Sequence, residues 1–201
     1  NYKNCLKDNY NIKIIDNFIT PEECKLIIEL ARPNLVRSTV NNDNNKVSAD
    51  RTSSQVFLEK STHEVLEKLS KKVSNLINIP QENQEKIQVL NYKEGEFYKQ
   101  HYDACLDKSK SCKEDIKRGG PRKVTFYLYL NDVEEGGYTG FPNIDKKVIP
   151  KLGRAVIWNN IIETNDQDKF KVDPCSLHMG IPTSKGEKWG LTIWSRVNKF
   201  I

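Results

Sequence analysis

Residues 122–131 read RKVTFYLYLN. Thr125, Tyr127 and Tyr129 alternate with Phe126, Leu128 and Leu130, the period-two pattern of a β-strand with one polar and one apolar face. The stretch 188–196, KWGLTIWSR, repeats the pattern: Lys188, Thr192, Trp194 and Arg196 share one parity, while Trp189, Leu191 and Ile193 share the other. Two such strands predict a sheet whose apolar face packs on other elements and whose polar face lines a cavity. A lysine pointing into that cavity is expensive unless it meets an anion.

From Ile87 onward further short sheet-like segments follow: IQVLNYK, FYKQHYD, GYTGF, KKVIP, GRAVIWNN and SLHMGI, separated by Gly, Pro and Asn. Eight short strands after two helices predict a mostly β fold with packed helices (α+β): a double-stranded β-helix, or jelly roll, with N-terminal helices on one outer face. The first helix is expected in TPEECKLIIELAR, with Thr20 as N-cap, Pro21 at the first helical position and Glu23 closing a capping box. The second, STHEVLEKLSKKVSNLINI, repeats the signal with Ser61 and Glu64, which leaves His63 as a surface residue of its first turn. Between them NNDNNK (41–46) reads as a mobile loop and RTSSQVFLEK as a strand after Arg51. The chain reads as one domain over 1–201, with helical support at 12–80 and the jelly-roll core at 86–199.

Composition sets limits on partners. Lys+Arg 32 against Asp+Glu 27 leaves a net charge of +5 over 201 residues, and the lysines mix with glutamates. A solvated face is expected, with no nucleic-acid groove. No run reaches the roughly 18 apolar residues a membrane helix needs, so no membrane partner is expected, and the protein reads as a monomer or weak homo-oligomer. The first residue is Asn1, which leaves room for a missing N-terminal targeting segment; the endoplasmic reticulum lumen and the cytoplasm are both compatible. The five cysteines (Cys5, Cys24, Cys105, Cys112, Cys175) include no zinc-type CxxC, and Cys105 and Cys112 could close a local bridge or stay free. There is no N-x-[ST] sequon.

The chemistry-bearing residues are few. His101 and Asp103 form a His-x-Asp pair in NYKEGEFYKQHYDAC (91–105), and His178 lies in a distant predicted strand. Two histidines and one carboxylate on one face suit an oxygen-activating iron with open positions, and they also suit zinc. A lysine, a tyrosine hydroxyl and a threonine around the same cavity suit a small dicarboxylate. A zinc hydrolase gives no joint role to Lys188, Tyr129 and Thr192.

The stretch from about residue 12 to 199 resembles the prolyl 4-hydroxylases, members of the Fe(II)/2-oxoglutarate dioxygenases. The resemblance is carried by TPEEC, RTSSQVFL, VLNYKEGEFYKQHYD, YLYLNDVEEGGYTGFP and DPCSLHMGIPTSKGEKWGLTIWSR, in that order. It implies a jelly roll with His101, Asp103 and His178 as iron ligands and Lys188 as partner of the far carboxylate of 2-oxoglutarate. It places Tyr92, Tyr129 and Thr192 at the other cosubstrate contacts, and Arg51, Tyr98, Arg122, Trp194 and Arg196 along a substrate groove. The NNDNNK insert falls where relatives carry a lid over bound peptide. Departures occur at Tyr138 and Gly140 of GGYTGFP, after His178, and in the cysteine-flanked loop after HYDAC; they touch substrate preference, not the metal or cosubstrate positions.

The implied activity is that of a procollagen-proline 4-dioxygenase-like oxidoreductase. It uses Fe(II), O2, 2-oxoglutarate and L-ascorbate and acts on proline-rich or collagen-like peptides, with succinate and CO2 as coproducts. The alternatives are the same chemistry on peptidyl lysine, where the family typically has arginine in place of Lys188, and a non-catalytic jelly roll that binds proline-rich peptides. A nucleic-acid demethylase of the same superfamily would need a base-flipping pocket and a stronger basic surface.

Overall fold

The computed structural model describes residues 12–38, 50–165 and 169–201; the NNDNNK insert lies outside them. The first strands in chain order are β1 (Lys13–Ile15), β2 (Val36–Arg37), β3 (Ser54–Leu58), β4 (Ile87–Tyr92) and β5 (Tyr98–His101). They continue as β6 (Arg122–Tyr129), β7 (Glu135–Gly136), β8 (Thr139–Phe141), β9 (Lys146–Val148) and β10 (Ala155–Asn159). The last five are β11 (Ile161–Glu163), β12 (Phe170–Val172), β13 (His178–Gly180), β14 (Thr183–Lys185) and β15 (Lys188–Arg196). Among the described residues three α-helices accompany them, α1 (Pro21–Ala31), α2 (Glu64–Ile77) and α3 (Lys110–Lys117).

Seven strands form one antiparallel sheet in the order β1-β10-β6-β15-β4-β3-β2, and four form a smaller sheet, β5-β13-β8-β9. The two sheets face each other as the walls of a roll. The 12–80 stretch is more than helical support, because it supplies β1, β2 and β3 to the large sheet.

The alternation in β6 and β15 separates two cores. Phe126, Leu128, Leu191 and Ile193 pack with Cys24, Ile27 and Ala31 of α1 and with Val65, Leu66, Leu69 and Val73 of α2. Burying each of these larger aliphatic side chains contributes about 1.5–3 kcal/mol. On the opposite face Tyr127 and Tyr129 pack with Val156 and Trp158 of β10 and with Phe141 and Val148 of the small sheet.

Helix α1 starts as expected: Glu23 N donates to Thr20 Oγ1, and Thr20 N donates to Glu23 Oε2. Helix α2 corrects the sequence reading. Ser61 lies in a 3-10 turn over Lys60–Thr62, and the N-cap is His63, whose Nδ1 accepts from Val65 N at 3.2 Å. The cap needs an acceptor two or three residues before a free amide, and an imidazole nitrogen supplies it as a hydroxyl would. Helix α3 was not expected in the polar loop. It is capped by Ser109, whose side chain accepts from Cys112 N, and it is tethered by a Cys105–Cys112 disulfide with Cα atoms 5.4 Å apart.

Candidate active site

His101 ends β5 and His178 begins β13, and the two residues stand opposite each other in the antiparallel register. Asp103 follows just past the end of β5 and turns its carboxylate to both rings. Oδ1 lies 3.8 Å from His101 Nε2 and Oδ2 lies 3.6 Å from His178 Nε2. His101 Nδ1 lies 2.8 Å from the Lys99 carbonyl, and His178 Nδ1 lies 2.8 Å from the Ser176 carbonyl. A carbonyl can only accept, so both Nδ1 atoms carry the proton and both Nε2 lone pairs turn toward Asp103. Burial, followed by the neighbouring His178, brings the His101 imidazole down to about 3, so this ring is neutral.

These three groups offer ligand atoms within 4.8 Å of one another. Two inward lone pairs beside a buried carboxylate, with no proton among them to share, form a donor set that a divalent cation satisfies. The carbonyls that lock the imidazole tautomers are the outer partners such sites use. The carboxylate is also held from behind: Thr125 Oγ1 donates to Asp103 Oδ2 at 2.6 Å, and Asn160 Nδ2 donates to Thr125 Oγ1 at 2.8 Å. Burial alone would raise the Asp103 carboxyl, but it is held below the ordinary range, with the Arg122 charge and the Thr125 hydrogen bond favouring the carboxylate.

Beyond the triad a cavity runs between the sheets, lined by Tyr92, Tyr127, Thr139, Lys188 and Thr192. Lys188 is 2% exposed and has no carboxylate partner among the described residues. Its Nζ lies 4.9 Å from the ring centre of Tyr92 and 5.6 Å from those of Tyr127 and Tyr129. Ring faces compensate a cation only in part, and burial brings the ammonium down to about 7. The cavity thus has a metal-ligand set at one end and an uncompensated ammonium within it. That polarity fits a ligand with a chelating head and an anionic tail.

Comparison with known proteins accords with this geometry. Residues 87–196 match the 2OG-Fe(II) oxygenase superfamily. Prolyl 4-hydroxylase 5 of Arabidopsis thaliana is 38% identical over 209 aligned positions, which span 93% of this chain and 68% of that protein. A prolyl 4-hydroxylase homologue of Acanthamoeba polyphaga mimivirus is 34% identical over 97% of this chain and 78% of its own length. The chain belongs to the prolyl 4-hydroxylase family. The same roll is seen in the viral collagen prolyl hydroxylase of Paramecium Bursaria Chlorella virus-1, solved with 2-oxoglutarate. It has a TM-score of 0.71 and 29% identity, covering 94% of this chain and 97% of that one. The prolyl 4-hydroxylase fold thus accounts for the jelly roll; Fe(II), 2-oxoglutarate and O2 are the family's cofactor and cosubstrates.

Within this family member the expected residues divide. Tyr92 and Thr192 line the cavity beside Lys188. Tyr129 is fully buried behind it, with its hydroxyl 2.5 Å from Thr139 Oγ1 and donating to the Val148 carbonyl at 3.0 Å. Thr139, which the sequence reading passed over, is the residue of this pair that reaches the cavity. Its only sequence signal is its position in the short strand GYTGF.

Also in the cavity lining, the Arg51 guanidinium lies 4.6 Å from the ring centre of Tyr98, which stacks on His101 at 3.7 Å. Arg51 also donates to Ser53 and Gln88. Trp194 lines the cavity, and Arg122 lies 3.7 Å from its ring centre while donating twice to Glu85, at 2.7 and 2.9 Å. Arg122 therefore backs Trp194 and does not open onto the cavity.

Arg196 is a correction. It is fully buried, and its guanidinium is committed to Glu85, to the Asp115 side chain and to the Asp115 and Gly120 carbonyls, at 2.6–2.8 Å. The β15–β6 ladder shifts register between Ser195 and Arg196, so the strict alternation that placed Arg196 with Lys188 and Thr192 stops one residue short of it.

Proposed function

We propose that the chain hydroxylates peptidyl proline at C4 to give 4-hydroxyproline, converting 2-oxoglutarate and O2 to succinate and CO2. When bound, Fe(II) with 2-oxoglutarate supplies the oxidising chemistry. His101, Asp103 and His178 would hold the metal from one side, with Thr125 and Asn160 keeping the carboxylate in place. Lys188 would pair with the far carboxylate of 2-oxoglutarate. Tyr92, Thr139 and Thr192 would border that cosubstrate, and Tyr129 would act through the Thr139 hydroxyl. Arg51, Tyr98 and Trp194 would guide a peptide to the mouth, where holding the proline ring beside the metal is the proximity contribution. Arg122 would contribute by fixing the Trp194 ring. The partner is a peptide; no helix of the described residues is long and apolar enough to cross a membrane.

Lys188 is the observation that carries this reading. An ammonium with no counter-ion among the described residues, inside a cavity whose lining also offers two imidazoles and a carboxylate, calls for a small anionic cosubstrate that reaches the metal. Succinate release should require Fe(II), 2-oxoglutarate and a proline-rich peptide together, and mass spectrometry should find one added oxygen on proline. Succinate release indifferent to proline in the peptide, or oxygen found on lysine instead, would refute the assignment.

A further inference from the structure

Tyr127 is buried at 7% exposure, and its hydroxyl has no hydrogen-bond partner among the described residues. An unsatisfied buried hydroxyl is unfavourable, so natural cores seldom keep one without a reason. The location of this one is informative. A Cβ built on Gly190 would lie 2.0 Å from Tyr127 Oη and 2.6 Å from Cζ. Position 190 shares its parity with Lys188 and Thr192, both of which line the cavity, so a side chain there would point the same way. The phenol therefore occupies the space of the missing side chain, with its hydroxyl between the lysine and the threonine. Thr192 is also the residue directly opposite Tyr127 in the ladder.

The ring is held in this place. It meets Tyr129 edge-on at 5.0 Å, and Lys188 Nζ lies 5.6 Å from its centre. Burial pushes its hydroxyl well above the ordinary tyrosine range, so it stays protonated and able to donate at any working pH. Nearby, the Thr139 hydroxyl is already engaged by Tyr129.

We propose that Tyr127 is a further cosubstrate-binding residue: its hydroxyl, laid over Gly190 between Lys188 and Thr192, donates a hydrogen bond to the bound dicarboxylate. Gly190 is the enabling half of this device, since any larger residue would displace the phenol. The inference rests on the cavity being the 2-oxoglutarate site, and the test separates the two claims.

Tyr127→Phe and Lys188→Met would be compared with the unaltered chain by 2-oxoglutarate KM and kcat in succinate release. Thermal stabilisation of the metal-free protein by 2-oxoglutarate would be measured alongside. Tyr127→Phe should raise KM about tenfold, the cost of one hydrogen bond to a charged group, with kcat little changed. Its ligand-free Tm should hold or rise, because an unpaired hydroxyl has been removed, while the shift given by 2-oxoglutarate shrinks. A purely structural tyrosine would instead lower the ligand-free Tm and leave KM alone; that result would overturn the proposal, as would an unchanged KM in Tyr127→Phe beside a raised one in Lys188→Met. If Lys188→Met also leaves KM unchanged, the cavity is not the cosubstrate site, and the inference falls with that reading.

Discussion

Two buried cations stand at opposite ends of β15. Arg196 is saturated by Glu85, Asp115 and two backbone carbonyls, whereas the Lys188 ammonium lies near aromatic rings with no carboxylate partner among the described residues. Both are almost completely buried. The arginine belongs to the fold, since its charge is cancelled by the chain itself. The lysine is a local electrostatic defect that the chain does not cancel, and such a defect is reasonable where a bound anion completes it. A buried charge is thus informative about function only after its partners have been counted.

The cavity end should break hardest. His178→Ala removes one of the two lone pairs beside Asp103, and 2-oxoglutarate-dependent turnover should be abolished with little change in Tm. Retained turnover would mean that the triad is not the metal site. At the other end, Arg196→Met should leave Asp115 without its buried partner and cost about 3–5 kcal/mol in chemical denaturation, the usual result of breaking one side of a buried pair. A loss below about 1 kcal/mol would remove the contrast between the two ends.

The ends should also respond oppositely to pH. Free Lys188 loses its proton at about 7, because burial disfavours the ammonium. Below that pH, 2-oxoglutarate affinity should be flat; above it, the affinity should weaken by about tenfold per unit, since the dianion needs the charged form. Glu85 behaves in reverse. Burial would raise its carboxyl, but Arg122 and Arg196 outweigh burial and hold it below the ordinary range. Its stabilising contribution is therefore present above the ordinary glutamate range and is lost as pH falls through the lowered value. A smaller effect should come from behind the metal ligands. Thr125→Val removes the donor to Asp103 Oδ2 and should weaken Mn(II) or Fe(II) binding by about tenfold, while Thr125→Ser should restore it.

Much of this contrast is written in the linear sequence, and the rest is not, for identifiable reasons. The two faces of β6 and β15 are legible because a strand's side chains alternate strictly, and the α1 cap is legible because Thr20 and Glu23 interact within one turn. His101, Asp103 and His178 are legible as a candidate ligand set from their residue types in a roll, and the resemblance sharpens them to iron ligands, but no local rule shows that β5 pairs with β13. The register shift between Ser195 and Arg196 is invisible to a parity count, which therefore groups Arg196 with Lys188 and Thr192. Ser61 stands three residues before Glu64 and so fits a capping box in the sequence, but the His63 imidazole is a competing acceptor nearer the helix and is the cap. Helix α3 was missed because KSCKEDIK has little apolar stripe, and its anchoring depends on a disulfide that spacing left open. Tyr127 stood on the expected polar face, but its meaning lies in the bare backbone of Gly190 on the neighbouring strand.

The most direct test of the account is 2-oxoglutarate binding to Lys188→Met set beside the stability of the ligand-free protein. Removing an uncompensated ammonium should stabilise the ligand-free chain by roughly 1–4 kcal/mol near neutral pH. The gain should shrink as pH rises from about 7 toward the ordinary lysine value of 10.5, while 2-oxoglutarate affinity falls by about a hundredfold. A variant that is less stable than the parent chain and still binds 2-oxoglutarate as tightly would contradict the account.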